Sequence, residues 1–221
     1  MKVCKFGGSS LANAEQIKKV CDIMLSDPSR RILIVSAPGK RSREDIKVTD
    51  LLITLANAIV SGYDGRHELK AVVQRFADIA AELELSPQII REIEDDLSQR
   101  IKQDHARTTR FLDSIKAAGE DYCARLVADY LCTLGHSAEY VHPGEAGMRV
   151  TAEYGNAQLL PDSYARLARL REETSLLVFP GFFGYTEDNH VATFSRGGSD
   201  ITGSILAAAL EAQVYENWTD V

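Results

Sequence analysis

The sequence predicts an α/β fold, a mainly parallel sheet covered by helices and carrying a helical insertion. Three observations lead there. Short apolar or β-branched runs alternate with stretches of helical periodicity, the first two runs bracket a single amphipathic helix, and a Gly-Gly pair stands twice where a run gives way to a helix. With 221 residues, 45% hydrophobic and 26% charged, the chain has ample length to bury a core, which excludes disordered and fibrous classes.

Residues 2–6 and 31–35 are short apolar runs. Between them Ile17, Val20, Cys21, Met24 and Leu25 repeat at helical spacing, so residues 14–25 form the crossover of a β-α-β unit. Such a unit joins parallel strands and places a ligand site beyond their carboxyl ends. Residues 36–45, with Pro38, Gly39 and dense charge, read as an exposed loop. A helix is expected to begin at Thr49 or Asp50, with Thr49 as its cap, Leu51, Leu52, Leu55, Ile59 and Val60 on one face, and Gly62 with Gly65 at its end.

From residue 66 to about 118 the sequence is almost all helix-forming, and breaks at Ser86-Pro87 and around His105 divide it into three helices. Pro87 fits the first turn of the second, where its missing N–H costs nothing. No strand interrupts this block, which reads as an insertion serving as lid, partner surface or both. Gly119-Glu120 is then expected to open another helix, ended by Gly135. Strands over 138–141, near 148–151 and over 176–179 follow, with a helix over 162–172 and a hairpin of 183–185 with 191–194. A last helix over 199–211 and a final strand over 214–218 complete the pattern.

Lys and Arg total 25 against 32 Asp and Glu, a formal net charge of −7, which disfavours non-specific binding to nucleic acid or anionic lipid. No apolar run is long enough to span a membrane, and no apolar segment follows the first residues as in a secretory signal. Cys4, Cys21, Cys123 and Cys132 form no CxxC pair or Cys/His cluster. They read as reduced, mostly buried thiols of a cytoplasmic protein. The chain stops at Trp218-Thr219-Asp220-Val221 with no turn or polar tail, and is expected to be cut short there.

Two loops are candidates for chemistry. In Lys5-Phe6-Gly7-Gly8-Ser9-Ser10 the glycines let backbone N–H groups approach an anion, for which phosphate is the natural guest, and Lys5 adds a mobile positive charge. A tight turn is the bland alternative. Ser195-Arg196-Gly197-Gly198-Ser199-Asp200 repeats the design and adds a guanidinium able to grip a carboxylate or phosphate, with Asp200 able to orient Lys5. The alternative is that Ser199 caps the helix and Asp200 favours its dipole. Glu120 is either a dipole-favoured carboxylate at a helix start or an acceptor for a substrate ammonium group. Ser36-Ala37-Pro38-Gly39 and Thr49 would lie beside the first loop, and Lys40, Arg41, Arg43 and Lys47 form either a basic flap or a solvated loop. His105, His136, His142 and His190 suggest no metal site or triad, and Trp218 reads as core.

Together these segments resemble the aspartate kinases of the amino-acid kinase superfamily over the whole chain: KFGGSS, VSAPGK with VTDLL, the Gly119-Glu120 pair, PGFFG, FSRGGSD and the closing WTDV occur in the family's order and approximate spacing. The resemblance implies a three-layer αβα sandwich and transfer of the γ-phosphoryl group of Mg-ATP to the β-carboxylate of L-aspartate. The product would be 4-phospho-L-aspartate, on the route to lysine, threonine and methionine. On the family pattern Lys5 contacts the transferred phosphoryl group, Gly7, Gly8 and Ser9 hold phosphates, and Asp200 organises the catalytic charges. Glu120 would bind the aspartate amino group and Arg196 its α-carboxylate, with Thr49, Gly197, Gly198 and Ser199 nearby. Thr219 and Asp220 match the start of a stretch bordering the nucleotide. Mg²⁺ would be held through the ATP phosphates, without direct side-chain ligation.

Ser9 stands where many members have Thr, which keeps the hydroxyl. Family members continue into the rest of the nucleotide site, including a second lysine, and into ACT domains that commonly make dimers. The fragment is therefore expected to be weakly active or inactive alone. The alternatives are kinases acting on acetylglutamate, glutamate (a glutamate 5-kinase), carbamate or UMP, and a non-catalytic nucleotide- or amino-acid-binding module.

Overall fold

The computed structural model describes residues 1–219. In chain order the strands are β1 (Lys2–Phe6), β2 (Arg30–Val35), β3 (Ala138–Tyr140), β4 (Leu176–Pro180), β5 (Phe183–Tyr185), β6 (Val191–Thr193) and β7 (Val214–Trp218). The helices are α1 (Ala14–Leu25), α2 (Val48–Val60), α3 (Arg66–Glu82), α4 (Gln88–Arg100), α5 (Thr108–Thr133), α6 (Pro143–Ala146), α7 (Ser163–Leu167) and α8 (Gly198–Ala209). Five strands form a parallel sheet in the order β3-β4-β2-β1-β7, and β5 pairs antiparallel with β6.

The central strands β2 and β4 read as continuous apolar runs because helices cover both faces of the sheet. Alternate residues go to opposite cores: Cys4, Phe6, Leu33, Val35 and Val178 pack with α1, α2 and α5. Val3, Ile32, Ile34, Leu177 and Phe179 pack with Leu167, Leu206 and Leu210 on the α7 and α8 side. The result is the expected three-layer sandwich. The chain leaves β1 for β2 through α1 on one face and arrives at β7, on the other side of β1, through α8 on the opposite face. β1 is thus the place where the winding reverses, and ligand crevices form at such a reversal beyond the carboxyl ends of the strands.

Several boundaries differ from expectation. Gly119 and Glu120 do not open a helix: they lie in the middle of the 26-residue α5. The third insertion helix and the one after it are continuous, because the buried face through Phe111, Ile115, Ala118, Tyr122 and Leu126 never breaks. Glycine in a helix interior costs about 1 kcal/mol relative to alanine. Here its bare backbone is needed, since a Cβ at Gly119 would stand 2.7 Å from the Ala37 Cβ and 3.2 Å from the Leu52 Cδ1. The block from residue 66 onward packs into the main core. Val72, Phe76, Ile93 and Leu97 share one core with Leu52, Leu55 and Tyr122.

Helix α2 begins at Val48 with Lys47 in the cap position and no side-chain cap, so Thr49 lies in the first turn instead of capping it. Gly62 closes α2 at φ +86°, where Tyr63 N–H returns to Ala58 O. Residues 148–151 make only isolated bridges, Arg149 with Tyr185 and Val150 with Leu159. The helix predicted over 162–172 divides into α7 and a 3-10 turn over Ala168–Arg171. Cys4, Cys21 and Cys123 are buried and Cys132 is exposed. Trp218 is half-buried at the sheet edge, stacked on Phe6 at 5.7 Å, and is not wholly core. Among the described residues no helix is long and apolar enough to cross a membrane.

Candidate active site

Because β1 and β2 are parallel neighbours with Phe6 opposite Val35, the loops at their carboxyl ends leave the sheet side by side. They meet backbone to backbone, Gly39 N–H donating to Gly8 O at 2.7 Å. A Cβ on Gly39 would stand 2.6 Å from Gly8 O, and one on Gly8 would stand 2.7 Å from Ala37 O. Gly8 and Gly39 are therefore required by this approach. A cavity of about 430 Å³ lies here, lined by Gly8, Ser9, Ser36, Ala37, Pro38, Gly39, Lys40, Lys47, Thr49 and Glu120.

Glu120 enters this cavity from the middle of α5 and is 6% exposed. Burial pushes its carboxyl up to about 8, against the pull of a hydrogen bond from the Ala37 backbone and the positive charge of Lys116 one turn earlier. Its Oε2 has no hydrogen-bond partner among the described residues. An unsatisfied buried carboxylate oxygen is costly, and a cationic N–H donor entering the cavity removes that cost.

The second cluster is built from strand register. Lys5 in β1 lies opposite Asn217 in β7, so the two side chains emerge on the same face of the sheet. Both reach the first turn of α8: Lys5 Nζ lies 2.7 Å from Asp200 Oδ1, and Asn217 Nδ2 donates to the same oxygen at 3.0 Å. Lys5 is almost buried, at 8% side-chain exposure, while Asp200 is 46% exposed, so the pair spans the boundary between sheet and solvent.

Gly197 sits at φ +80° in the N-cap position of α8, and Ser199 is inside the helix, so it is not the cap. The α8 start is seated on the turn after β4: a Cβ on Gly198 would stand 2.5 Å from the Phe182 ring, and one on Gly181 would stand 2.7 Å from Ser199. Arg196 is exposed and makes no hydrogen bond or ion pair with the described residues. Gly7 donates its N–H to Trp218 O, tying this loop to the end of β7. Thr219 follows β7 and is exposed, while Asp220 lies outside the described residues.

The structure thus brings Gly8, Ser9, Thr49 and Glu120 to one cavity and Lys5 and Asp200 into contact. Arg196, Gly197, Gly198 and Ser199 surround the start of α8 and do not line that cavity. Of the basic flap, Lys40 and Lys47 line the cavity and Arg41 is held by Asp45 and Asp78. His142 accepts from Glu145 N–H at the start of α6 and bonds Tyr185, and His190 meets Arg110.

Asn217, Lys116 and Asp113 were not singled out by sequence. Lys116 pairs with Asp113 at 2.8 Å and sits over the Phe182 ring. Asp113, nearly fully buried, accepts from Gly155 N–H and Thr193 N–H at 2.7 Å each. The i, i+3 and i, i+4 spacing of Asp113, Lys116 and Glu120 on one helical face was the signal available for them. Gly119, which reads as a helix boundary, hides that face in the sequence.

The sequence profile described as the amino acid kinase family matches residues 1–221. The chain is 53% identical to aspartokinase 3 of Bacillus subtilis (strain 168) over 221 residues, all of this chain and 49% of that protein. Among solved structures it is similar to the aspartate kinase of Clostridium acetobutylicum, at 34% identity and a TM-score of 0.84, covering 100% of this chain and 48% of that one. It is also similar to E. coli aspartokinase III in complex with aspartate and ADP, at 27% identity and a TM-score of 0.81, covering 100% and 49% respectively. The chain therefore spans about half the length of these relatives. A parallel sheet that reverses its winding at β1, glycine-paired loops at that reversal, and a family match running through every element together establish that the chain belongs to the amino acid kinase family.

Proposed function

We propose that the protein of which this chain is part is an aspartate kinase, transferring the γ-phosphoryl group of ATP to the β-carboxylate of L-aspartate to give 4-phospho-L-aspartate. The observation that carries the acceptor assignment is Glu120, a buried carboxylate with an oxygen unpartnered among the described residues, in the cavity between the loops that follow β1 and β2. That oxygen is suited to an ammonium group. The complex of the E. coli relative with aspartate and ADP supports the same pair of ligands.

In this reading Glu120 holds the α-amino group and Arg196, without a partner among the described residues, grips the α-carboxylate through two parallel hydrogen bonds. Thr49 lies in the cavity with Glu120, and Gly197, Gly198 and Ser199 at the start of α8 border the part of the acceptor site that Arg196 reaches. Backbone groups around Gly7, Gly8 and Ser9 receive phosphate oxygens, with Thr219 and Asp220 bordering the nucleotide. The nucleophile is a carboxylate already ionised at neutral pH, so no general base is required. Catalysis rests on alignment and charge neutralisation. Lys5 supplies positive charge where the phosphoryl group passes, and Asp200 with Asn217 fixes the Lys5 ammonium in place.

Asp200 is open enough to meet a hydrated cation, a donor set that fits Mg²⁺ carried on nucleotide phosphates. When bound, Mg²⁺ neutralises charge on the phosphates. ADP release measured with aspartate, N-acetylglutamate, glutamate, carbamate and UMP as acceptors tests the proposal on the full-length protein. Aspartate-dependent turnover alone is expected; its absence overturns the reading.

A further inference from the structure

Arg75, in the third turn of α3, lies in the helical block that the sequence reads as a lid or partner surface. It is 3% exposed, an unusual burial for a guanidinium. Its Nη2 donates to Gly39 O at 2.6 Å and lies 3.1 Å from Asp45 Oδ2. Both partners belong to the loop after β2 that walls the acceptor cavity. Gly39 faces two ways, its carbonyl to Arg75 and its N–H to Gly8 O. A continuous chain of hydrogen bonds therefore runs from α3 through Gly39 into the loop after β1.

The same loop is fastened a second time. Asp45 accepts from Arg41 N–H and Nε, both at 2.9 Å, and Arg41 reaches Asp78 of α3 at 3.3 Å. The hydrogen bond from Arg41 and its neighbours holds the Asp45 carboxyl well below the usual carboxylate range. Nε and Nη1 of Arg75 have no hydrogen-bond partners among the described residues. Burying a guanidinium so incompletely satisfied is costly, and a merely structural position of this size is filled more favourably by an apolar side chain.

We infer that Arg75 is a positioning residue for phosphoryl transfer: through Gly39 and Asp45 it holds the loop of residues 36–47 against Gly8, setting the shape of the acceptor cavity from helix α3. The insertion thereby acts as a fixed clamp on the site. This rests on the proposed kinase reading for its kinetic part alone.

The test uses the full-length protein with Arg75→Lys, which keeps the charge but ends one bond short of the Nη2 that meets both partners, and Arg75→Met. Amide hydrogen exchange without ligands reads the clamp directly. Exchange across residues 36–47 is expected to accelerate about tenfold or more in both variants, while residues 88–100 of α4 stay as in the parent. Aspartate kcat/KM is expected to fall about tenfold, with Arg75→Lys retaining more than Arg75→Met. If Arg75→Met does not fold, Arg75→Lys and Asp45→Asn carry the same comparison. Exchange across 36–47 within twofold of the parent, or loss of protection spread equally over α4, overturns the inference. A parent enzyme without aspartate-dependent turnover would instead refute the kinase reading and leave the exchange result to decide the clamp.

Discussion

Lys5 Nζ and Asp200 Oδ1 stand 2.7 Å apart, joining the first strand of the chain to the last helix across 195 positions of sequence. The contact exists because β1 and β7 are neighbours and α8 returns over them, so a lysine at a strand end meets a carboxylate in a first helical turn. In the proposed kinase reading, the contact orients the ammonium before substrate arrives. Lys5→Met, which retains the apolar stem, is expected to lower kcat roughly 10²–10³-fold with a small change in melting temperature. Steady-state kinetics beside thermal denaturation checks this; turnover equal to the parent's would remove Lys5 from the mechanism.

Glu120 makes the pH dependence specific. Its folded-state value of about 8 lies above the ordinary 4.5. The folded state then binds the proton more tightly than the unfolded state, so this group's stabilisation is fully present below 4.5 and is lost as pH rises through 8. Glu120→Gln cannot ionise, and is expected to flatten the decline in melting temperature between those values. The same ionisation favours an ammonium ligand, so KM for aspartate is expected to fall as pH approaches 8 in the parent and not in Glu120→Gln.

Arg196 is exposed and unpartnered in the described structure, so its loss has little to disturb in the fold. Arg196→Ala is expected to shift stability by no more than about 0.5 kcal/mol while raising KM for aspartate roughly tenfold or more. Denaturant melts and kinetics on the same preparation separate the two effects. A fall in kcat at unchanged KM would argue against a role in gripping the substrate carboxylate.

At Gly39 the expectation runs through sterics. A Cβ there would meet Gly8 O at 2.6 Å and Ser9 N at 2.9 Å, both backbone atoms that cannot swing away. Gly39→Ala is expected to cost about 1–3 kcal/mol of stability and to weaken nucleotide and acceptor binding together, because the two loops must separate. Isothermal titration with ADP and with aspartate measures both. Gly62→Ala is the informative contrast: no atom lies within 4 Å of its Cβ position, and its strain comes from φ alone.

Most of this architecture was legible in the sequence because its elements carry their own period. The run over β2, the stripe of α1 and the glycine pairs at residues 7–8 and 197–198 each specify local structure without reference to distant residues. The strand at 214–218 and the hairpin around 186–189 were equally local. The Gly119-Glu120 pair misled for the opposite reason. Glycine in isolation signals a boundary, yet here it is interior to α5 because Ala37, more than 80 positions earlier, needs its space.

Sequence alone therefore determined the α/β class, the two glycine loops and the family pattern they form, since backbone conformation and hydrophobic period are set by nearest neighbours. Tertiary structure decided which charges meet. The contact of Lys5 with Asp200, the burial that raises Glu120, and the reach of Arg75 to Gly39 all depend on parallel strand order and helix packing. Long-range electrostatics and burial are properties of the assembled layers, and no local pattern of residues encodes them.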